Sequence, residues 1–200
     1  AKAEHGPWKY ILRYLVQFPV RFYVSAFRGT PLFVQIMVVH FALVPLFINP
    51  RDGLLVTSGL MSADFARELR ASYGAFLSCI VAITLNAGAY VSEIFRAGIE
   101  SVPHGQAEAA YSLGMTWSQV MSRIVIPQAV RCVIPTMTSE FVMLYKDTSL
   151  LSSVGVMELM LFSKNLTATT GNITPYICAA LYYLVVTFPL IHIVTKVERR

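Results

Sequence analysis

Gly105-Gln106-Ala107-Glu108-Ala109-Ala110, closed at Leu113-Gly114 and followed by Ile126-Pro127-Gln128-Ala129, reads as a polar helical hairpin set between segments that belong in lipid. Pro103 and Gly105 punctuate the chain ahead of it. Glu108 through Leu113 predicts a short helix with Glu108 near its positive N-terminal end, and Gly114 supplies the backbone freedom a helical corner needs. Thr116 or Ser118 caps the next helix, whose Val120, Met121, Ile124 and Val125 form an apolar stripe until Pro127 intervenes. A hairpin this short does not bury both faces alone. Two covers fit it: a cleft in a soluble partner, or a fold-back onto its own membrane domain or a second copy. For a partner, small Ala109 and Ala110 allow close approach, while Met121 and Trp117 offer adaptable or anchoring surface.

The flanking composition places this hairpin at a membrane. Of 200 residues, 56% are hydrophobic and 14% charged, too apolar a balance for an ordinary soluble domain. Windows free of Asp, Glu, Lys and Arg run from Gly29 to Pro50, Ala71 to Ser92 and Asn165 to Thr195. Each is long enough to cross ~30 Å of hydrocarbon, which takes roughly 20 helical residues. A further apolar stretch, Cys132 to Leu161, is interrupted by Glu140, Lys146, Asp147 and Glu158, groups that must face protein or water at such depth. The expected architecture is all-α: a polytopic transmembrane helical bundle forming one domain over 1–200. Its expected spans are 29–48, 73–92, 131–150 and 174–195, with a lead-in over 1–28 and a cytoplasmic loop over 96–127.

Charge placement orients the bundle. Lys2, Lys9, Arg13, Arg21 and Arg28 precede the first span with only Glu4 opposing them, which puts that end in the cytoplasm; Lys196, Arg199 and Arg200 put the tail on the same side. From Trp8 to Phe27 aromatic and aliphatic residues interleave with Lys9, Arg13 and Arg21, as in an interfacial helix lying on membrane lipid. The loop after Asn49-Pro50 is expected outside the cytoplasm, with an amphipathic piece near Ala63 to Arg70. In the second span Gly74, Ser78, Ala82, Asn86 and Ala89 are small or polar and spaced mostly by four, a pattern for close helix packing; Asn86 is also a candidate to touch a solute. The net charge of +5 follows from this topology and gives no reason to invoke nucleic acid.

Catalytic and cofactor chemistry find little support. Cys79, Cys132 and Cys178, and His5, His40, His104 and His192, are scattered without metal-ligand spacing, so no metal is expected. No Gly-rich phosphate loop occurs, so any nucleotide energy must come from another chain. No nucleophile, base and orienting group fall at a spacing that suggests a membrane-embedded enzyme.

The polar chemistry concentrates instead on Glu140 and Asp147, seven residues apart and so within about 20° on one helical face. That face is expected to line the bundle interior and to hold the ammonium or guanidinium of a polar amino acid, with Ser139 beside it and Met143 and Leu144 as the apolar wall. Neutralisation by Lys146 or Arg131 is the competing account. Thr136, Thr138, Ser139, Thr148 and Ser149 either satisfy backbone groups near Pro135 or contact solute.

Four blocks in register resemble the membrane subunits of ATP-binding cassette importers of the polar amino-acid uptake family. They are Arg28-Gly29-Thr30-Pro31-Leu32 with Gln35; Glu93-Ile94-Phe95-Arg96-Ala97-Gly98-Ile99; the Gln106 to Leu113 and Ile126 to Ala129 hairpin; and Lys146-Asp147-Thr148-Ser149-Leu150 with Glu158-Leu159. The resemblance implies a type I importer permease in a bacterial inner membrane. It further implies a pairing with itself or a sibling permease, two ATPase subunits beneath, and an extracytoplasmic solute-binding protein opposite. The hairpin then becomes the ATPase-coupling element, through Gly105, Glu108, Ala109, Ala110, Leu113, Gly114 and Met121, with ATP used by the partner and no cofactor held by this chain. The chain departs from the pattern in showing four spans and beginning without Met, so the family's first span is expected to be absent from this sequence. It also reads Thr138-Ser139-Glu140 where the family often has Asn, a departure that bears on which solute is carried. A channel or receptor subunit whose hairpin binds a regulatory protein is the alternative from a different functional class.

Overall fold

A computed structural model describes residues 7–198, with side chains from 14 to 196, and every regular element among them is helical. The side chains of Lys2, Glu4, Trp8, Lys9, Arg13, Arg199 and Arg200, which enter the orientation argument, lie outside the described residues. Helix α1, Pro7–Gly29, ends just ahead of Pro31, which lacks an amide donor and itself stands extended at φ −63°, ψ 137°. The chain then turns through 112° into α2, Leu32–Val38, a widened π turn at Val39–Leu43, and α3, Val44–Ile48. A short α4, Leu54–Thr57, leads to α5, Ala63–Glu100. After α5 come α6, His104–Ser112, and α7, Trp117–Val120, which continues through a second π turn, Met121–Val125, into α8, Ile126–Asp147. A 3₁₀ segment, Thr148–Val154, then precedes α9, Leu159–Thr170, and α10, Thr174–Glu198.

Both π turns stand directly before a proline, Pro45 and Pro127. A proline ring clashes with the carbonyl four residues back, Phe41 or Arg123 here, and each of those carbonyls lies inside a widened turn. Ile126 accordingly donates its amide to Met121, five residues back, and the helix passes Pro127 without breaking. The expected stop at Pro127 is therefore corrected: local widening relieves the clash.

Helix α5 is a single rod of 38 residues, about 57 Å at ~1.5 Å per residue. The separate amphipathic piece at Ala63 to Arg70 is corrected by this continuity, while the punctuation read at Pro103 and Gly105 falls where α5 gives way to α6. Nothing between Arg70 and Glu100 forces a stop: Gly74 is buried in packing, and the first proline is Pro103. Ser62 caps the start, accepting a hydrogen bond from the Phe65 amide at 3.3 Å. Gly74, Ser78, Ala82, Asn86 and Ala89 all lie buried along the rod. Ile36, Val39, Val44 and Ile48 pack against this spine with Cys79, and the 3₁₀ segment inserts Leu151 into the same core.

Helices α5 and α8 make the most extensive pairing, and Gly98 shows how close it is. A Cβ at this position would overlap the Val133 side chain and stand 3.3 Å from the Ala129 carbonyl oxygen. Gly98→Leu is expected to force the helices apart and destabilise the protein by about 1–3 kcal/mol, the usual penalty of overpacking. Thermal melting in detergent checks this, and an unchanged melting temperature would contradict the contact.

Helix α9 is an element that apolarity alone does not announce. Glu158 caps it, its carboxylate accepting from the amides of Met160 and Leu161, both at 2.7 Å, and Gly171 closes it at φ +65°. Glu158 thus interrupts the apolar stretch for a local structural reason. Helices Ala63–Glu100 and Thr174–Lys196 are each long and apolar enough to cross a membrane, and Tyr14–Gly29 with Leu32–Ile48 passes that test as a bent pair. Helix α8, which carries Arg131, Glu140, Lys146 and Asp147, is not among them.

Candidate functional site

The segment between α5 and α8 forms an elbow built on two capping motifs. At its first corner Gly114 has φ +80°; its amide bonds the Tyr111 carbonyl at 2.9 Å and the Met115 amide bonds the Ala110 carbonyl at 3.2 Å. These are the two bonds of a Schellman cap, and Met115 packs over Ala110 as that motif requires. At the second corner Thr116 and Gln119 make a capping box: the Thr116 hydroxyl accepts from the Gln119 amide at 3.4 Å, and the Gln119 side chain accepts from the Thr116 amide at 2.8 Å. Thr116, rather than Ser118, is the cap.

Between these corners lies a small core of Val102, Ala110, Val120, Val125 and Ala129, with Met121 and Ile124 packed against it. The Gln128 amide donates to the Gln106 side chain at 2.5 Å, joining α6 to α8. Within the stripe Val120 and Val125 are therefore covered from within while Met121 and Ile124 are only half-buried, and Ala110 is corrected from docking surface to elbow interior. Because α6 begins at His104, Glu108 also lies beyond the first turn rather than at the N-terminal end. The outward surface holds Gly105, Glu108, Ala109, Gly114 and two apolar side chains, Leu113 at 84% exposure and Trp117 at 69%.

Above the elbow, charged groups follow α5 upward. Arg96 grips both carboxylate oxygens of Glu93, through Nε at 3.0 Å and through Nη2, and reaches Glu100 with Nη1 at 2.5 Å. Glu93 also meets Arg28 at 3.4 Å, and the Arg28 guanidinium stands 5.6 Å from the Tyr90 ring centroid. Arg28, Tyr90 and Glu93 share a cavity of about 300 Å³ with Gly98, Cys132 and Thr136. Sequence reasoning places Arg28 and Glu93 in separate motifs, and a spacing of this length carries no signal that they pair.

Glu140 lies inside α8 and Asp147 is its last residue, both half-buried, with the more exposed Met143 on the same stripe between them. Two helical turns separate the carboxylates, about 10.5 Å along the axis. Among the described residues neither acid forms an ion pair with Lys146 or Arg131. Neighbouring hydroxyls are committed to backbone: Thr138 donates to the Ile134 carbonyl at 2.8 Å, Thr148 to Tyr145 at 2.7 Å and Thr136 to Cys132 at 3.5 Å. Ser139 is exposed beside Glu140. Asn86 is drawn elsewhere, its amide donating to Gln35 at 2.9 Å and to the Phe27 carbonyl at 3.4 Å. The structure thus brings Ser139, Glu140, Met143 and Asp147 together on one helix and holds Asn86 at the α1–α2 corner.

Residues 12–200 match the binding-protein-dependent transport system inner membrane components. Among curated proteins, the chain is 38% identical over 177 residues to the octopine transport system permease protein OccM of Rhizobium meliloti, covering 88% of this chain and 66% of that one. It is 39% identical over 180 residues to the L-cystine transport system permease protein TcyB of Bacillus subtilis, covering 89% and 67%. To the histidine/lysine/arginine/ornithine transport system permease protein HisM of Escherichia coli it is 32% identical over 187 residues, covering 92% and 73%. The chain spans about two thirds of the length of the first two of these relatives. A solved structure described as an amino acid ABC transporter with histidines superposes with a TM-score of 0.68 at 32% identity, covering 89% of this chain and 73% of that one.

Proposed function

Because the chain belongs to the family of binding-protein-dependent transport system inner membrane components, we propose that it is the permease subunit of an ATP-driven importer of polar amino acids. Nothing in its similarities favours the channel or receptor reading. The observation that carries the proposal is the elbow: a self-cored, doubly capped projection that leaves Leu113 and Trp117 bare beneath a membrane bundle. Such a surface suits the cleft of an ATPase subunit, whose nucleotide-driven movement would reach the bundle through it. Gly105, Glu108, Ala109, Leu113 and Gly114 form this contact, while Ala110 keeps it stiff from inside and half-buried Met121 packs against that core.

Glu140 and Asp147, with Ser139 and Met143, line the pathway in this reading, and their two negative charges favour a cationic side chain such as that of arginine, lysine or histidine. A second permease, identical or sibling, completes the pathway by covering the half-exposed acid stripe. A solute-binding protein delivers the amino acid from the far side, and α1 lies on the membrane lipid with the aromatic face of Tyr14, Phe18 and Phe22 exposed. Uptake into vesicles holding the complete complex, with labelled arginine, histidine, glutamine and glutamate compared, tests the solute class. Arginine or histidine is expected to move best; fastest uptake of glutamate would overturn the cation preference.

A further inference from the structure

The corner between α1 and α2 is fastened to one side of α5 at successive turns. The Tyr23 hydroxyl donates to the Leu85 carbonyl at 2.5 Å, and Asn86 donates to Gln35 at 2.9 Å. Next along α5, the Tyr90 ring stands under the Arg28 guanidinium, and Glu93 meets its Nη1 at 3.4 Å. Gln35 also donates to the Phe27 and Thr30 carbonyls, at 2.8 and 3.0 Å, so the corner is itself a closed unit. Beyond Glu93 the seam continues through Arg96 to Glu100, and Val102 then enters the elbow core. Helix α5 is unbroken throughout, so its last turns carry the corner on one side and the elbow at their end.

A partly exposed ion pair stabilises little by itself, and the corner already has the Tyr23, Gln35 and Asn86 bonds. Fold stability therefore asks little of Arg28. Its position asks more: Arg28 is the corner's link to the part of α5 nearest the elbow. We propose that Arg28, gripped between the Tyr90 ring and Glu93, is a positioning residue for energy coupling, making the head of the first span move with the elbow. This inference rests on the importer reading above.

The test uses the complete reconstituted complex, in a background with Cys132→Ser and Cys178→Ser, because Cys132 lines the same cavity. ATP hydrolysed per amino acid imported is measured for Arg28→Gln, Glu93→Gln and the double variant. The ratio is expected to rise about fivefold or more, the lower end of usual coupling factors, with the double variant no worse than either single. Arg28→Lys keeps the charge but loses the planar fork, and is expected to fall between parent and Arg28→Gln. If Arg28→Gln does not assemble, the decision passes to Arg28→Lys and to a covalent replacement of the pair. In that replacement, Arg28→Cys with Glu93→Cys is expected to be uncoupled until a bifunctional thiol reagent bridges the two, and coupled afterwards.

An unchanged ratio in the variants, additive losses, or a bridge that halts transport would each overturn the proposal. A parent complex whose hydrolysis ignores the amino acid would instead bring down the importer reading. A coupled parent with equally coupled variants removes only the role of Arg28.

Discussion

Replacing Gly114 by valine is expected to lower amino-acid-stimulated ATP hydrolysis sharply, about 5- to 30-fold, while leaving membrane insertion intact. The glycine holds φ +80°, and no atom stands within 4 Å of where its Cβ would be, so the penalty comes from the backbone rather than a clash. An L-residue in the left-handed region is disfavoured by about 1–2 kcal/mol, more when β-branched, and avoiding it means giving up the two Schellman bonds that fix the corner. About 1.4 kcal/mol is a tenfold change in an association constant, so a penalty of about 1–2 kcal/mol weakens docking of Leu113 on a partner roughly 5- to 30-fold. Gly114→Asn, which tolerates this conformation, is expected to retain most coupling. Hydrolysis and uptake measured together in vesicles check the pair, and normal stimulated transport by the valine variant would refute the role given to this corner.

Neutralising the acid stripe is expected to have the second large effect. Glu140→Gln and Asp147→Asn each remove a charge that a guanidinium or ammonium would meet, and a hydrogen bond to a charged group contributes about 1.5–3 kcal/mol. Each change should therefore raise the half-saturating arginine concentration about 10- to 100-fold, with a smaller effect on glutamine. The arginine-to-glutamine ratio is the informative readout, because a general loss of fold lowers both together. Equal losses for the two solutes would argue that the carboxylates serve structure only.

The parts of this architecture that are legible in sequence are the locally encoded ones. Gly114 and the cap candidates Thr116 and Ser118 announce two corners because capping chemistry is settled within a few residues, and the bonds to Gln119 decide for Thr116. The small-residue spacing from Gly74 to Ala89 predicts burial, since side chains four apart share a helical face. Which way a stripe faces is not local. Val120 and Val125 read as a surface waiting for a partner, yet Val102 and Ala110 cover them, and only the folded path brings those residues over the top.

Distance in sequence hides other features. Asn86 reads first as a packing residue and only second as a solute contact, and the partner that holds it, Gln35, is 51 positions away. Arg28 and Glu93 reveal their pairing only once α1 is laid against α5. Proline also misleads as a stop signal when a widened turn precedes it, as at Pro127. The face shared by Glu140 and Asp147 was readable, because helical periodicity alone fixes it once α8 is regular.

The central claim is that energy enters through the bare outer surface of the elbow. Single cysteines at Ala109, Leu113 and Trp117, with Met121→Cys as a half-buried comparison, can be crosslinked in membranes holding the complete transport system. The account predicts that the outward positions, Leu113 above all, capture an ATPase subunit and that Met121 does so weakly. Capture of lipid or of this polypeptide alone from all outward positions would contradict it.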